Sequence, residues 1–303
     1  MLWRQHRQSL VVHSPAKLNL FLDVLGKRPD GYHELETLMV SIGIYDTLSF
    51  TEGLSDRIRL RCFDAAGRSV TEESQSAGVP AGRENLVVRA AELLRKHAGV
   101  TQGIRGGLQK RIPVAAGLAG GSSNAAATLM ALNRLWQLKL SRNELQQLAS
   151  QLGSDVGFFL DGSSAAICRG RGERIEPLHL PLSLYFVIAR PKSGLATAVV
   201  YQHCRPAKNP RNVCSLVDCL KEGRLGSAAK YFYNALQQPA EQLCPDVTRL
   251  KARFSNQPTF GHLMTGSGTA YFGVCANQRQ ALSVAARLSA SRSGRVFVTQ
   301  SGP

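Results

Sequence analysis

The stretch PVAAGLAGGSSNAAATL, residues 113–129, sets glycine, alanine and serine ahead of an alanine-rich run of helical character. A small-residue loop that opens a helix exposes backbone N–H groups, and the helix end adds roughly half a positive charge. Together they make an anion site, most usefully for phosphates, and Ser122 and Ser123 add hydroxyls of which one could reach a Mg²⁺ ion. The loop has no Gly-Lys-Ser/Thr ending, so it is not a Walker A motif, and its glycines at 117, 120 and 121 do not follow G-x-G-x-x-G. Close packing of a helix on its neighbours is the other reading of the same residues. TGSGTAYF, residues 265–272, repeats the signal more weakly between two apolar runs, where a tight hairpin turn is the alternative.

Two charged residues lie where charge is expensive or pointed. Lys17 sits in the apolar, strand-like LVVHSPAKLNLFL, where an unpaired ammonium is costly; the alternative is a lysine snorkelling from a strand edge. Asp155 follows a helix end and precedes the apolar VGFFL, where it could equally cap a helix. If the fold brings the two together, the cation keeps the carboxylate ionised, which suits a hydroxyl that loses its proton as it attacks phosphorus. Tyr32 and His33, in DGYHE, put an aromatic and a hydrogen-bonding ring on an otherwise polar loop.

Residues 10–22 alternate as a strand with a turn expected at Ser14-Pro15, and 26–34 is dense in turn formers. Strands are expected at 46–52 and 56–63, and 65–85 is polar and Gly/Ser-rich, as a surface loop would be. Leu86, Ala90, Leu93 and Leu94 give a helical stripe that stops at Gly99. After the glycine loop, Leu129, Leu132 and Trp136 share a helix face. Ser141 and Glu144 form a capping box for a helix with Leu145, Leu148 and Leu152 on its stripe, ending at Gly153. Beyond about 166 the pattern restarts, with strands near 184–189, 261–265 and 270–275 and helices near 225–237, 246–255 and 277–290. This predicts a mixed α/β (α+β) protein of two lobes, 1–166 and 167–295, with a final strand at 296–303 as a candidate to return to the first.

The 303 residues are 44% hydrophobic, enough for a real core. No apolar run approaches the roughly 20 residues of a membrane span, and the start lacks a secretory apolar region; a soluble cytoplasmic protein is expected. Seven cysteines form no CxxC pair and no ligand cluster, so they read as reduced thiols and no metal site is assigned. The net charge of +16 raises a nucleic-acid partner. Its basic residues are spread through GRGER, RPAKNPR and RLSASRSGR with no recognisable motif, so that partner is disfavoured. A basic surface also attracts phosphorylated small molecules.

PAKLNLFLDVLGKRPDGYHELETL, PVAAGLAGGSSNAAATL, LGSDVGFFL and TGSG occur in that order. They resemble the GHMP kinase superfamily and, through PAKLNL with RPDGYHELET, its 4-diphosphocytidyl-2-C-methyl-D-erythritol kinase family. The likeness covers most of 10–165 and returns at 262–275. It implies an N-terminal lobe like ribosomal protein S5 domain 2 and a ferredoxin-like C-terminal lobe. It also implies phosphorylation of a 2-hydroxyl by ATP with Mg²⁺ in the non-mevalonate isoprenoid pathway. Lys17 and Asp155 match the family's catalytic pair, with Asp155 as general base. Pro113, Val114, Ala115, Ala116, Gly117, Leu118, Ala119, Gly120, Gly121, Ser122 and Ser123 are expected at ATP, with Asn85 and Lys110. Asn19, Tyr32, His33, Thr197, Tyr201, Gly266, Ser267 and Gly268 are expected at a substrate carrying cytidine diphosphate, with Tyr32 and Tyr201 stacking on the base. Ala115 and Ala116 stand where many relatives carry glycine, and alanine avoids positive φ, so a slightly different loop is expected there. The alternatives are another small-alcohol kinase, of mevalonate or homoserine type, and a basic non-catalytic nucleic-acid binder. The chain is expected to be a monomer or a weak homodimer.

Overall fold

The computed structural model describes residues 1–6, 9–53, 55–70 and 82–302. Much of the expected polar loop at 65–85, namely 71–81, therefore lies outside the described residues. The chain begins with strands β1 (Leu2–His6), β2 (Ser9–Lys27), β3 (His33–Glu52), β4 (Ile58–Phe63) and β5 (Ser69–Val70). Helix α1 (Leu86–Ala98), strand β6 (Ile104–Gln109) and helices α2 (Gly120–Leu135), α3 (Arg142–Leu152) and α4 (Val156–Asp161) follow. Then come β7 (Ala165–Gly170), β8 (Arg174–Leu178), β9 (Tyr185–Arg190), α5 (Thr197–His203), α6 (Cys214–Lys221), α7 (Leu225–Ala228) and β10 (Tyr233–Asn234). The chain ends with α8 (Gln237–Leu243), α9 (Pro245–Ser255), β11 (Gly261–Met264), β12 (Tyr271–Cys275), α10 (Gln278–Ala290) and β13 (Arg295–Gln300).

Two compact units share these elements. The first comprises Met1–Ala16, Ile44–Val114 and Ala119–Gly162. In it β1 runs antiparallel to the start of β2, the end of β3 antiparallel to β6, and β6 parallel to β4. Alternate strand residues Leu10, Val12, Leu48, Phe50, Ile104 and Leu108 are buried, together with Val87 and Leu94 of α1 and Leu129 and Leu132 of α2. Local chemistry sets the helix ends. Asn85 accepts from the Val87 N–H to start α1, and Gly99, at φ 65°, ends it. The Ser141–Glu144 capping box opens α3. The expected turn at Ser14-Pro15 is absent: β2 runs through it, because the Ser14 hydroxyl is taken by Asn124 Oδ1 at 2.6 Å and proline's φ suits extended chain.

The second unit comprises Lys17–Gly43, Ala115–Leu118 and Ser163–Pro303. Here β7 pairs antiparallel with β3 and β8, and β10 parallel with β2. A separate antiparallel sheet has the order β11-β12-β9-β13, packed with α9 and α10 around Val187, Phe254, Met264, Tyr271 and Val284. The final strand, β13, pairs with β9, Phe297 opposite Ile188, and just beyond it Ser301 bridges Ile42 of β3. The helix expected over 225–237 ends at Ala228, because Tyr233 and Asn234 pair with Phe21 and Leu22, and Asn234 Nδ2 donates to the Met264 and Gly266 carbonyls. The break near 166 is also not single, since 17–43 and 115–118 belong with the second unit.

In the first unit the residues leading into the glycine loop are clamped by one carboxylate. Asp46 is fully buried; its Oδ1 accepts from the Arg111 and Ile112 N–H groups at 2.7 and 2.8 Å. Its Oδ2 accepts from Lys110 Nζ at 2.6 Å and from Asn124 Nδ2, on α2, at 3.0 Å. Lys110 also donates to the Ile112 carbonyl at 2.5 Å. Burial pulls the Lys110 ammonium below its ordinary pKa, against the opposing pull of Asp46. Removing one partner of a buried pair strands the other charge, so Asp46→Ala is expected to lower the unfolding free energy by about 3–5 kcal/mol. Asp46→Ala with Lys110→Met should recover much of that in urea titrations. A loss below about 1 kcal/mol in the single variant, the size of an exposed ion pair, would contradict the clamp.

Candidate active site

Lys17, in β2, belongs to the second unit and is only 3% exposed. The strand-edge alternative is thereby removed, since its ammonium does not reach water along the sheet. Nζ donates to Asn19 Oδ1 at 2.6 Å and to the Gly117 carbonyl at 2.9 Å. Asn19 is fixed in turn: its Nδ2 donates to Thr37 Oγ1 at 2.8 Å, and that hydroxyl donates to the Phe21 carbonyl. Thr265 Oγ1 accepts from the Asn19 N–H at 3.1 Å and lies 3.2 Å from Asn19 Oδ1. The amide of Asn19 thus orients the lysine, besides any contact with a polyol.

The same lysine sits where two glycine segments meet. Gly117 has φ 75°, and a Cβ there would fall 2.0 Å from the Thr265 carbonyl. Gly266 has φ 55°, and a Cβ there would lie 3.1 Å from the Gly117 carbonyl and 3.3 Å from Lys17 Nζ. Both positions require glycine for conformation and for space. The Ala270 N–H donates to the Ala116 carbonyl, closing the contact.

Other expected substrate residues in this unit also pair. Thr197 Oγ1 and Ser267 Oγ are 2.9 Å apart. The His33 and Tyr201 rings lie 5.2 Å apart, tilted by 30°. Burial, then the charge of Lys27, lowers the His33 pKa, favouring a neutral ring that can both donate and accept. Tyr32 is 51% exposed, with the Arg171 guanidinium 4.5 Å from its ring centroid. Arg28 braces this loop through Asp30 and Glu34.

In the first unit, Ala119 starts α2 at φ 53° and no side chain caps the helix end. A helix start without a side-chain cap is the arrangement an anion satisfies. Ser123 Oγ is buried and finds no hydrogen-bond partner among the described residues. Gly120 is pressed against Lys110 Nζ and Ile112, each 2.8 Å from where a Cβ would stand. Asp155 occupies the N-cap position of α4 but makes no capping hydrogen bond, so the cap alternative fails. Lys110 is engaged with Asp46, and Asn85 with the start of α1. Ala115 departs from its expectation: it adopts φ 51° despite its Cβ.

Sequence reading passed over Thr37, Asp46, Asn124, Asn234, Thr265 and Arg171. For Asp46 a signal exists, since IGIYDTLSF places a carboxylate at a core-facing position of an alternating strand. The others become partners only through tertiary contact. Among the described residues no group of three or more His, Cys, Asp or Glu could hold a metal ion, and no helix is long and apolar enough to cross a membrane.

The pattern of the GHMP kinases N terminal domain matches residues 85–168, and that of the GHMP kinases C terminal matches 216–294. The chain is 45% identical over 274 residues to the 4-diphosphocytidyl-2-C-methyl-D-erythritol kinase of Pelotomaculum thermopropionicum, covering 90% of this chain and 91% of that one. It is 38% identical to the kinase of the same name from Alkaliphilus metalliredigens, with 91% of each covered. A crystal structure of 4-(cytidine 5'-diphospho)-2C-methyl-D-erythritol kinase superposes with a TM-score of 0.78 at 36% identity, over 97% of this chain and 100% of that one. A homoserine kinase from Cytophaga hutchinsonii, at TM-score 0.73 and 17% identity over 100% and 97% of the two chains, shares the fold. The chain belongs to the GHMP kinases, and within them to the 4-diphosphocytidyl-2-C-methyl-D-erythritol kinase family.

Proposed function

We propose that the chain transfers the γ-phosphoryl group of ATP to the 2-hydroxyl of 4-diphosphocytidyl-2-C-methyl-D-erythritol. The carrying observation is the buried Lys17 ammonium, held by Asn19 and by the carbonyl of the loop glycine Gly117. In this reading the hydroxyl gives its proton to Asp155, its oxygen bonds the γ-phosphorus, and the bond to ADP breaks. Lys17 supplies positive charge to the reacting groups. Such transfer depends mostly on positioning and charge stabilisation. The first turn of α2 and residues 113–123 hold the phosphates, with Lys110 and Asn85 shaping the approach. The orphaned Ser123 hydroxyl fits a phosphate or its cation, and Mg²⁺ would supply charge neutralisation there.

Tyr32, His33 and Tyr201 favour an acceptor with a base over mevalonate or homoserine, which offer nothing to stack. Thr197 and Ser267, together with Asn19, Gly266 and Gly268, serve the rest of that acceptor. The test is coupled ADP release with Mg·ATP and each of the three acceptors. Turnover is expected with the cytidine compound alone; equal turnover with mevalonate or homoserine would overturn the assignment. Asp155→Asn should lower kcat by about 10²–10⁴-fold, the worth of a positioned base, with ATP affinity unchanged. Parallel loss of ATP binding would make the residue structural.

A further inference from the structure

The first unit's sheet has two faces of opposite character. One is buried under helices. On the other, Arg4 stands opposite Val11, and Arg105 opposite both Thr51 and Arg59. Arg61, two residues after Arg59, stands opposite Gly107 on the same face. Arg111 joins them by donating to Thr47 Oγ1 at 2.8 Å and Gln109 Oε1 at 2.5 Å. Arg4, Arg59, Arg61 and Arg105 are exposed. No Asp or Glu stands on this strand face among the described residues; Asp46 and Glu52 belong to the opposite register.

Several exposed arginines elsewhere are held by a carboxylate. Arg68 is paired with Asp64, Arg142 with Asp161, Arg169 with Glu176 and Arg224 with Glu222. Arg59, Arg61 and Arg105 have no ion pair among the described residues, and Arg59 and Arg105 are directly opposite neighbours. Like charges so placed destabilise a sheet. The potential is felt at His13 on the same face, whose pKa is lowered by burial and then by Arg4 and Arg111.

The array crosses the strand order β1-β2-β3-β6-β4. At about 4.8 Å per strand it extends about 19 Å, which suits a polymer of regularly spaced anions better than a single metabolite. Guanidinium groups match phosphate oxygens bidentately. Tyr45 and Phe63, both partly exposed, share the face and offer rings on which unpaired bases can stack. We propose that this sheet face binds single-stranded nucleic acid through its phosphates, a function separate from phosphoryl transfer.

The test titrates the full chain into a short labelled single-stranded RNA by fluorescence anisotropy at several salt concentrations. A duplex of the same length, phosphatidylserine vesicles and polyglutamate run alongside. The single strand is expected to bind most tightly, with log affinity falling against log salt at a slope of about −2, as for three phosphates neutralised. Arg59→Glu with Arg61→Glu and Arg105→Glu should weaken binding by at least about tenfold, with ADP production unchanged as the check on folding. Should that variant lose kinase activity, Arg59→Gln with Arg105→Gln provides the same reading at lower cost to the sheet. No binding by the native chain, equal binding by an active variant, or preference for duplex, vesicles or polyglutamate would each overturn the proposal.

Discussion

A lysine ammonium buried in the middle of a strand is the constraint around which the second unit is organised. Taking an ammonium out of water costs several kcal/mol even after relaxation, so Lys17 survives only because acceptors meet it. One, Asn19, is local, two residues along the same strand face. Another, the Gly117 carbonyl, comes from a hundred residues away. Bringing that carbonyl within reach needs a backbone with no side chain at Gly117 and another at Gly266. Thr37 and Thr265 complete the set by fixing the Asn19 amide. Each of these residues is explained by the charge it serves, and none by packing alone.

The first unit solves a related problem with the opposite charge. Asp46 is buried and accepts four hydrogen bonds, two of them from the backbone just ahead of the glycine loop. Through Asn124 it also holds the second turn of α2, so the helix end and the loop's approach share one carboxylate. The loop itself is under tension: Ala115 and Ala119 both adopt positive φ, at 51° and 53°. A left-handed conformation costs an L-residue roughly 1–2 kcal/mol. Strain of this kind persists where the surrounding structure fixes the backbone; beside Ala115, in the second unit, the close packing of Gly117 on the Thr265 carbonyl does so.

Local chemistry was legible in the sequence, and long-range partnership was not. The Ser141 capping box, the Gly99 stop and the strands near 185, 262 and 272 follow from rules that operate within a few residues. Lys17 and Asp155 stood out because charge in an apolar strand and a carboxylate at a helix end both ask for an explanation. Thr265 and Thr37 gave no such signal, because a threonine in a strand is ordinary until Asn19 is placed beside it. The final strand is a similar case: RVFVTQ reads as a strand, but nothing within it says that β9 is its neighbour. The basic residues are a further case. They are scattered along the chain, and only the pairing of β4 with β6 sets Arg59 against Arg105.

On the proposed reading Lys17 is buried for catalysis at some cost to stability, and Lys17→Met separates the two. Replacing a buried charge by an apolar side chain of similar volume is often neutral or stabilising. Loss of a preorganised charge at a reacting phosphate costs about 10²–10³ in kcat. The variant is therefore expected to keep or raise its thermal midpoint while its kcat with the cytidine substrate falls by about that factor. A midpoint that falls sharply while the folded fraction keeps its kcat would show that the ammonium holds the fold together and takes no part in the reaction.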